Sequence, residues 1–197
     1  MQMTSDLASL IGSRICHDLI SPIGAINNGL ELMTMSGAQD GPEIGLIGES
    51  VGNASARIRF FRIAFGAAGN QLVGPVEIDS ILRDQFGGSR LEVNWALDTP
   101  QPRTLVRLAF LAILCFETIL PYGGRVEVAE VDGVWRVEGA AERVNVEEML
   151  WSLLGGATTK DRLLPAHVQF ALLPLIAQEC RRQVDATSSE SGATICF

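Results

Sequence analysis

The stretch Ser13-Arg14-Ile15-Cys16-His17-Asp18-Leu19-Ile20-Ser21-Pro22-Ile23 decides how the rest of the chain folds. It holds one of two histidines, an acid directly after it, a hydroxyl four residues on and a proline next to that hydroxyl. Proline disrupts an ordinary helix interior, because it lacks an N–H and its ring crowds the preceding turn. Yet the apolar pattern runs straight through it. At about 100° per residue, Ile11, Ile15, Leu19, Pro22, Ile26, Leu30 and Met33 fall within one arc of roughly 100°, a core-facing stripe. His17 projects about 180° from the centre of that arc. Arg14, Ser21, Gly24 and Asn28 lie within roughly 60° of it on the same outer face. The spacing predicts an exposed histidine on a packed helix, flanked by polar and small groups. The bland alternative is an ordinary surface histidine, which is common.

Outward from this stretch, Thr4, Ser5 or Asp6 can cap the helix, which should run to about Ser36. Gly37-Ala38-Gln39-Asp40-Gly41-Pro42 is turn chemistry, with Pro42 suited to open the next helix. There Ile44, Ile47, Val51, Ala54, Ile58, Phe61 and Phe65 alternate steps of three and four, the apolar seam of a bundle or coiled coil. Two long helices joined by a short turn form an antiparallel hairpin. A lone hairpin cannot cover both sides of its seam. Pairing with a second copy into a four-helix bundle solves this, so a homodimer is expected. The alternative is that the second half of the same chain covers the seam.

The 197 residues, 47% of them hydrophobic, suit one compact domain or two small ones. A formal charge of −8 argues against a general nucleic-acid binder, which usually carries a basic patch. The local cluster Arg57, Arg59 and Arg62 reads as a solvated helix face. Cysteines at 16, 115, 180 and 196 have neither metal-ligand nor redox spacing and read as reduced thiols of a cytoplasmic protein. With no acid–histidine cluster elsewhere, no dedicated metal site is expected, and His167 beside Pro165 reads as structural or surface-exposed. No positive charge precedes an apolar run at the N-terminus, so no signal peptide is expected. The apolar stretch from Leu105 to Leu120 is interrupted by Arg107 and Glu117, so no membrane span is expected either.

Gly66-Ala67-Ala68-Gly69-Asn70 reads as a linker between a helical unit, residues 1–68, and a second unit, residues 71–197. In the second unit a short helix is expected over Glu77–Phe86, a strand over Leu91–Leu97, a loop at Thr99–Pro102 and an apolar helix over Arg103–Leu120. A hairpin follows, Arg125–Ala129 with Val134–Glu138, turning near Asp132-Gly133. Helices over Val146–Leu154 and Val168–Arg181 and a closing hairpin, Gln183–Thr187 with Ala193–Phe197, complete an α/β sandwich. The fold class is α+β.

The order His17-Asp18-Leu19-x-x-Pro22 resembles the phospho-acceptor motif of histidine kinases, in which an acid follows the histidine and a hydroxyl or amide residue precedes the proline. The end of the chain, Val168 to Phe197 with Ser191-Gly192-Ala193-Thr194, resembles the close of the kinase ATP-binding domain. The nucleotide machinery departs from that pattern. The magnesium-holding asparagine would fall near Leu114 or Cys115, and neither offers the oxygen ligand magnesium prefers. The adenine-reading Asp-x-Gly-x-Gly would fall near Val137-Glu138-Gly139-Ala140-Ala141, where one glycine matches and the acid is displaced. Gly155-Gly156-Ala157-Thr158-Thr159 is a weak candidate for the glycine-rich lid, and no Walker-type loop is present.

This combination is similar to the ChpT-type histidine phosphotransferases of alphaproteobacteria. The resemblance implies a dimeric kinase-like bundle followed by a degenerate ATP-binding-like domain that binds no nucleotide. It implies reversible phosphoryl transfer from the receiver domain of a hybrid histidine kinase to His17, and on to receiver domains of response regulators. In that reading Nε2 of His17 carries the phosphoryl group, Asp18 accepts from the other ring nitrogen, and Ser21 contacts the phosphoryl group or partner. Arg14, Gly24 and Asn28 would contribute to receiver docking. No cofactor of its own is implied; Mg2+ would come from the receiver's acidic pocket. Two other readings stay open: a dimeric pseudo-kinase scaffold that docks receivers, and a divergent kinase that still uses ATP.

Overall fold

The computed structural model describes residues 2–36, 42–67, 69, 71–157 and 163–197. The predicted turn at 37–41, part of the linker and part of the weak lid candidate lie outside the described residues. Helix α1 spans Gln2–Ser36 and passes through Pro22 unbroken; α2 spans Pro42–Ala64 and packs along it. Strand β1 (Leu72–Val73) leads to α3 (Pro75–Phe86) and β2 (Leu91–Trp95). Then come β3 (Gln101–Pro102), the apolar helix α4 (Arg103–Ile119), and the hairpin β4 (Gly124–Val131) and β5 (Val134–Ala140). Helix α5 (Glu148–Leu154), a 3-10 turn (Pro165–His167), α6 (Val168–Glu179), β6 (Asp185–Ser188) and β7 (Gly192–Cys196) close the chain.

The main sheet has the order β2-β4-β5-β7-β6, with β2 and β4 parallel and every other pair antiparallel. Its period-two alternation is visible in β5: Trp135, Val137 and Gly139 face inward while Arg136, Glu138 and Ala140 face out. The β4–β5 turn falls on Asp132-Gly133, both at positive φ, the conformation a two-residue hairpin requires. Thr99–Pro102 is not all loop: Gln101–Pro102 pairs with Leu72–Val73 as a small second sheet. Two-residue strands have no alternation to detect, so the sequence carries no periodic signal for them.

Helix α4 is the spine of this half. From Leu108 to Phe116 every side chain is buried, on a helix that packs against β4 and β5 and is flanked by α2 and α6. The seam predicted on α2 divides between two environments. Its lower end enters the α/β core at Phe61, next to Phe60, which lies off the predicted seam, stacks on Phe110 at 4.6 Å and meets Phe86 edge-on at 5.6 Å. Phe61, Ile63 and Ala64 are buried beside it. Arg103 and Arg107 of α4 donate to the carbonyls of Arg62 and Ala64, satisfying the open end of α2. Further up, Ile44, Val51 and Ile58 are 41%, 47% and 53% exposed.

Within the hairpin the closest approach falls on Gly29, buried against Ile47: a Cβ there would lie 2.5 Å from Cγ1 of Ile47. Of the predicted α1 stripe, Ile11 and Ile15 pack against the α/β core, whereas Leu30 is exposed. Among the described residues no helix is long and apolar enough to cross a membrane. All four cysteines are free, and burial pushes the Cys115 thiol well up. The central place of the Phe60 ring gives a direct expectation. Phe60→Ala should destabilise the protein by about 3–5 kcal/mol, the usual cost of emptying a buried aromatic site, read as a lower midpoint in urea unfolding.

Candidate functional site

The candidate site lies midway along α1. The His17 side chain is 86% exposed, whereas that of Asp18, its neighbour in sequence, is only 11% exposed. Asp18 turns one oxygen toward the histidine: Oδ1 lies 3.1 Å from Nδ1. An ionised carboxylate only accepts, so the shared hydrogen belongs to Nδ1. In the neutral imidazole this places the lone pair on Nε2. Pro22 has no N–H to give the Asp18 carbonyl, which loses its intrahelical partner.

The other carboxylate oxygen, Oδ2, accepts from Arg14 Nε at 2.7 Å, and Arg57 of α2 comes within 3.8 Å of it. Arg14 reaches further. Its Nη1 donates to the Ala166 carbonyl in the 3-10 turn at 2.7 Å, and its Nη2 to Glu117 Oε2 on α4 at 3.3 Å. The Arg14 side chain is only 12% exposed as a result. Partial burial pushes the Glu117 carboxyl above its ordinary range; Arg14 and Arg57 pull it back and Asp18 adds to the rise.

The predicted residues therefore separate into two sets. Arg14, His17 and Asp18 form one connected group, with Arg14 turned toward the α/β half instead of outward. Ser21 and Asn28 are exposed on α1 beyond His17, and Gly24 is half-buried, with open space where a Cβ would stand. His167 is half-buried with its ring edge-on to Phe170 at 6.5 Å. Among the described residues no three His, Cys, Asp or Glu gather in a metal-like cluster.

Sequence reasoning missed Arg57 and Glu117. The basic cluster that read as a solvated face is engaged: Arg57 faces Asp18, and Arg59 pairs with Asp84 and Ser80. The reason is the hairpin itself, which brings α2 against the histidine-bearing helix. Glu117 did leave a signal. It is the one acid within the largely apolar run from Leu105 to Leu120, and a charge on a buried helix needs a partner.

Comparison with known proteins bears on this arrangement as a whole. A family model described as the histidine phosphotransferase C-terminal domain matches residues 75–192. Protein phosphotransferase ChpT of Brucella abortus (strain 2308) is 35% identical over 189 residues, covering 91% of this chain and 88% of that protein. A solved bacterial phosphotransferase structure superposes with a TM-score of 0.78 at 31% identity, over 97% of this chain and 95% of its own. An α+β chain with a helical hairpin and a mixed sheet, alike over more than nine-tenths of its length to such relatives, is a protein phosphotransferase, and it belongs to the ChpT-type histidine phosphotransferase family.

Proposed function

We propose that this phosphotransferase relays phosphoryl groups between receiver-domain aspartates through Nε2 of His17. One observation carries the reading: the ring of an exposed histidine is tied at Nδ1 to Asp18 and free at Nε2. In the forward step the Nε2 lone pair attacks the phosphorus of an aspartyl phosphate. The P–N bond forms, the P–O bond to the donor aspartate breaks, and that carboxylate leaves. Asp18 stabilises the positive charge that develops on the ring. The return step transfers the group from Nε2 to the aspartate of a second receiver. Such transfers need alignment and charge neutralisation more than elaborate acid–base chemistry. Mg2+ would be brought by the receiver. Ser21 and Asn28, with the open space beside Gly24, supply the face on which a receiver rests, and among the described residues Arg57 is the cation nearest the Asp18–His17 pair that still reaches solvent.

The reading includes no ATP site. What supports this is the packing where a kinase would hold nucleotide. Leu114 and Cys115 are buried apolar positions on α4. The Phe116 ring lies against Gly139, where an added Cβ would collide with Cδ1, so this glycine accommodates a ring of the chain itself. The buried Gln169 amide links α6 to α4 through the Leu114 carbonyl and Thr118 Oγ1. A phosphorylated receiver, with ATP removed, should label the wild-type protein in acid-labile form and leave His17→Ala unlabelled, and ATP alone should label neither. Label on His17→Ala, or label from ATP alone, would defeat the reading.

The reading also includes a homodimer. Ile44, Val51 and Ile58 recur at heptad spacing on α2 and remain uncovered by the chain's own second half, as do Ile20, Ile23 and Leu30 on α1. A second hairpin would cover both sets in a four-helix bundle. The doubly substituted Val51→Glu, Ile58→Glu protein should sediment as a monomer with an unchanged helical signal, against a dimeric wild type. A monomeric wild type at micromolar concentration would remove the dimer from the account.

A further inference from the structure

We propose that Glu117 and Arg14 are positioning residues for phosphoryl transfer: acting through Asp18, they determine which ring nitrogen of His17 is the nucleophile. The inference rests on the reading of His17 as the phosphoryl carrier. It assigns the α/β half of the chain a function at the histidine that needs no nucleotide.

The geometry carries it. A carboxylate can rotate about its bond, so an Asp18 held only by His17 would sample several orientations. Its second oxygen is anchored on Arg14 Nε at 2.7 Å. Arg14 in turn is bound through both of its other nitrogens, to the Ala166 carbonyl and to Glu117. A planar guanidinium bound at three nitrogens cannot swing, which a lysine ammonium could not reproduce. Both outer anchors belong to the α/β half, Glu117 on α4 and Ala166 in the 3-10 turn. Arg14 and Asp18 belong to the hairpin. The orientation of the histidine ring thus depends on a contact between the two halves. Among the described residues Arg57 is the remaining charge facing this group, at 3.8 Å from Asp18 on the α2 side.

A purely structural role for Glu117 makes a different prediction. Burial raises its carboxyl above the usual range, even with Arg14 and Arg57 opposing the rise. A carboxyl whose folded pKa lies above the unfolded value of about 4.3 adds stability below that value and loses it as pH rises through the folded pKa. Glu117→Gln, which keeps the shape and removes the charge, should therefore melt at or above the wild-type temperature at pH 8. That advantage should vanish near pH 4. If the side chain served stability alone, the variant would melt lower at pH 8.

The experiment is 15N NMR of the His17 imidazole in the full chain, for wild type, Glu117→Gln and Arg14→Lys, together with transfer kinetics from a phosphorylated receiver. Wild type should show the Nδ1–H form. Both variants should shift toward the Nε2–H form, and their rate at saturating receiver should fall about 10-fold, the scale for outer partners of an orienting group. The half-saturating receiver concentration should not change. An unchanged tautomer, or a loss confined to half-saturation, would overturn the proposal. The tautomer is read without receiver or phosphate. A wild type that takes no phosphate at His17 would sink the functional reading while the NMR still decided this one.

Discussion

Asp18 sits between two nitrogen partners, Nε of Arg14 on one oxygen and Nδ1 of His17 on the other, and much of the molecule is arranged so that it can. The carboxylate is nearly covered, so its charge needs a partner of opposite sign within hydrogen-bond reach. Arg14 fills that role only because its remaining nitrogens are bound by α4 and by the turn before α6. Those two elements meet through the buried amide of Gln169, which ties Leu114, Thr118 and Ala166 together. The exposed histidine is thus the outermost member of a chain of polar contacts that begins in the α/β core.

The same core fixes the hairpin. The last turns of α2 are embedded among α3 and α4 through the stack of Phe60 on Phe110 and the arginine caps on its final carbonyls. Aromatic burial at the base holds the hairpin's direction, while Ile44, Val51 and Ile58 further along α2 stay exposed. This division explains why a helix with a regular seven-residue apolar repeat has both buried and exposed members. The repeat serves the α/β core at one end and an uncovered surface at the other.

Much of this was legible in the sequence. The helical stripe through Pro22 placed His17 outward, and the step pattern from Ile44 to Phe65 gave the second helix. The alternation in Arg125–Glu138 and the Asp132-Gly133 turn gave the central hairpin, because long periodic segments announce themselves. The resemblance to kinase motifs added the match between Val168–Phe197 and the close of an ATP-binding domain, but not the order of the strands. Three features were not legible. Gly29 is a contact point only because Ile47 comes from another helix. The small sheet of Leu72–Val73 with Gln101–Pro102 is too short to alternate. Arg14 read as an outward group because helical angle alone ignores the reach of its side chain, which bends to acceptors 103 and 152 positions away. Long flexible side chains are where a wheel projection carries least information.

The central claim is that Asp18 occupies Nδ1 and leaves Nε2 to carry the phosphoryl group. The most direct measurement is 31P–15N NMR of the protein phosphorylated by a receiver domain and kept at alkaline pH. The account predicts a single phosphoramidate coupled to Nε2 of His17. A phosphoryl group on Nδ1, or on any other residue, would contradict it.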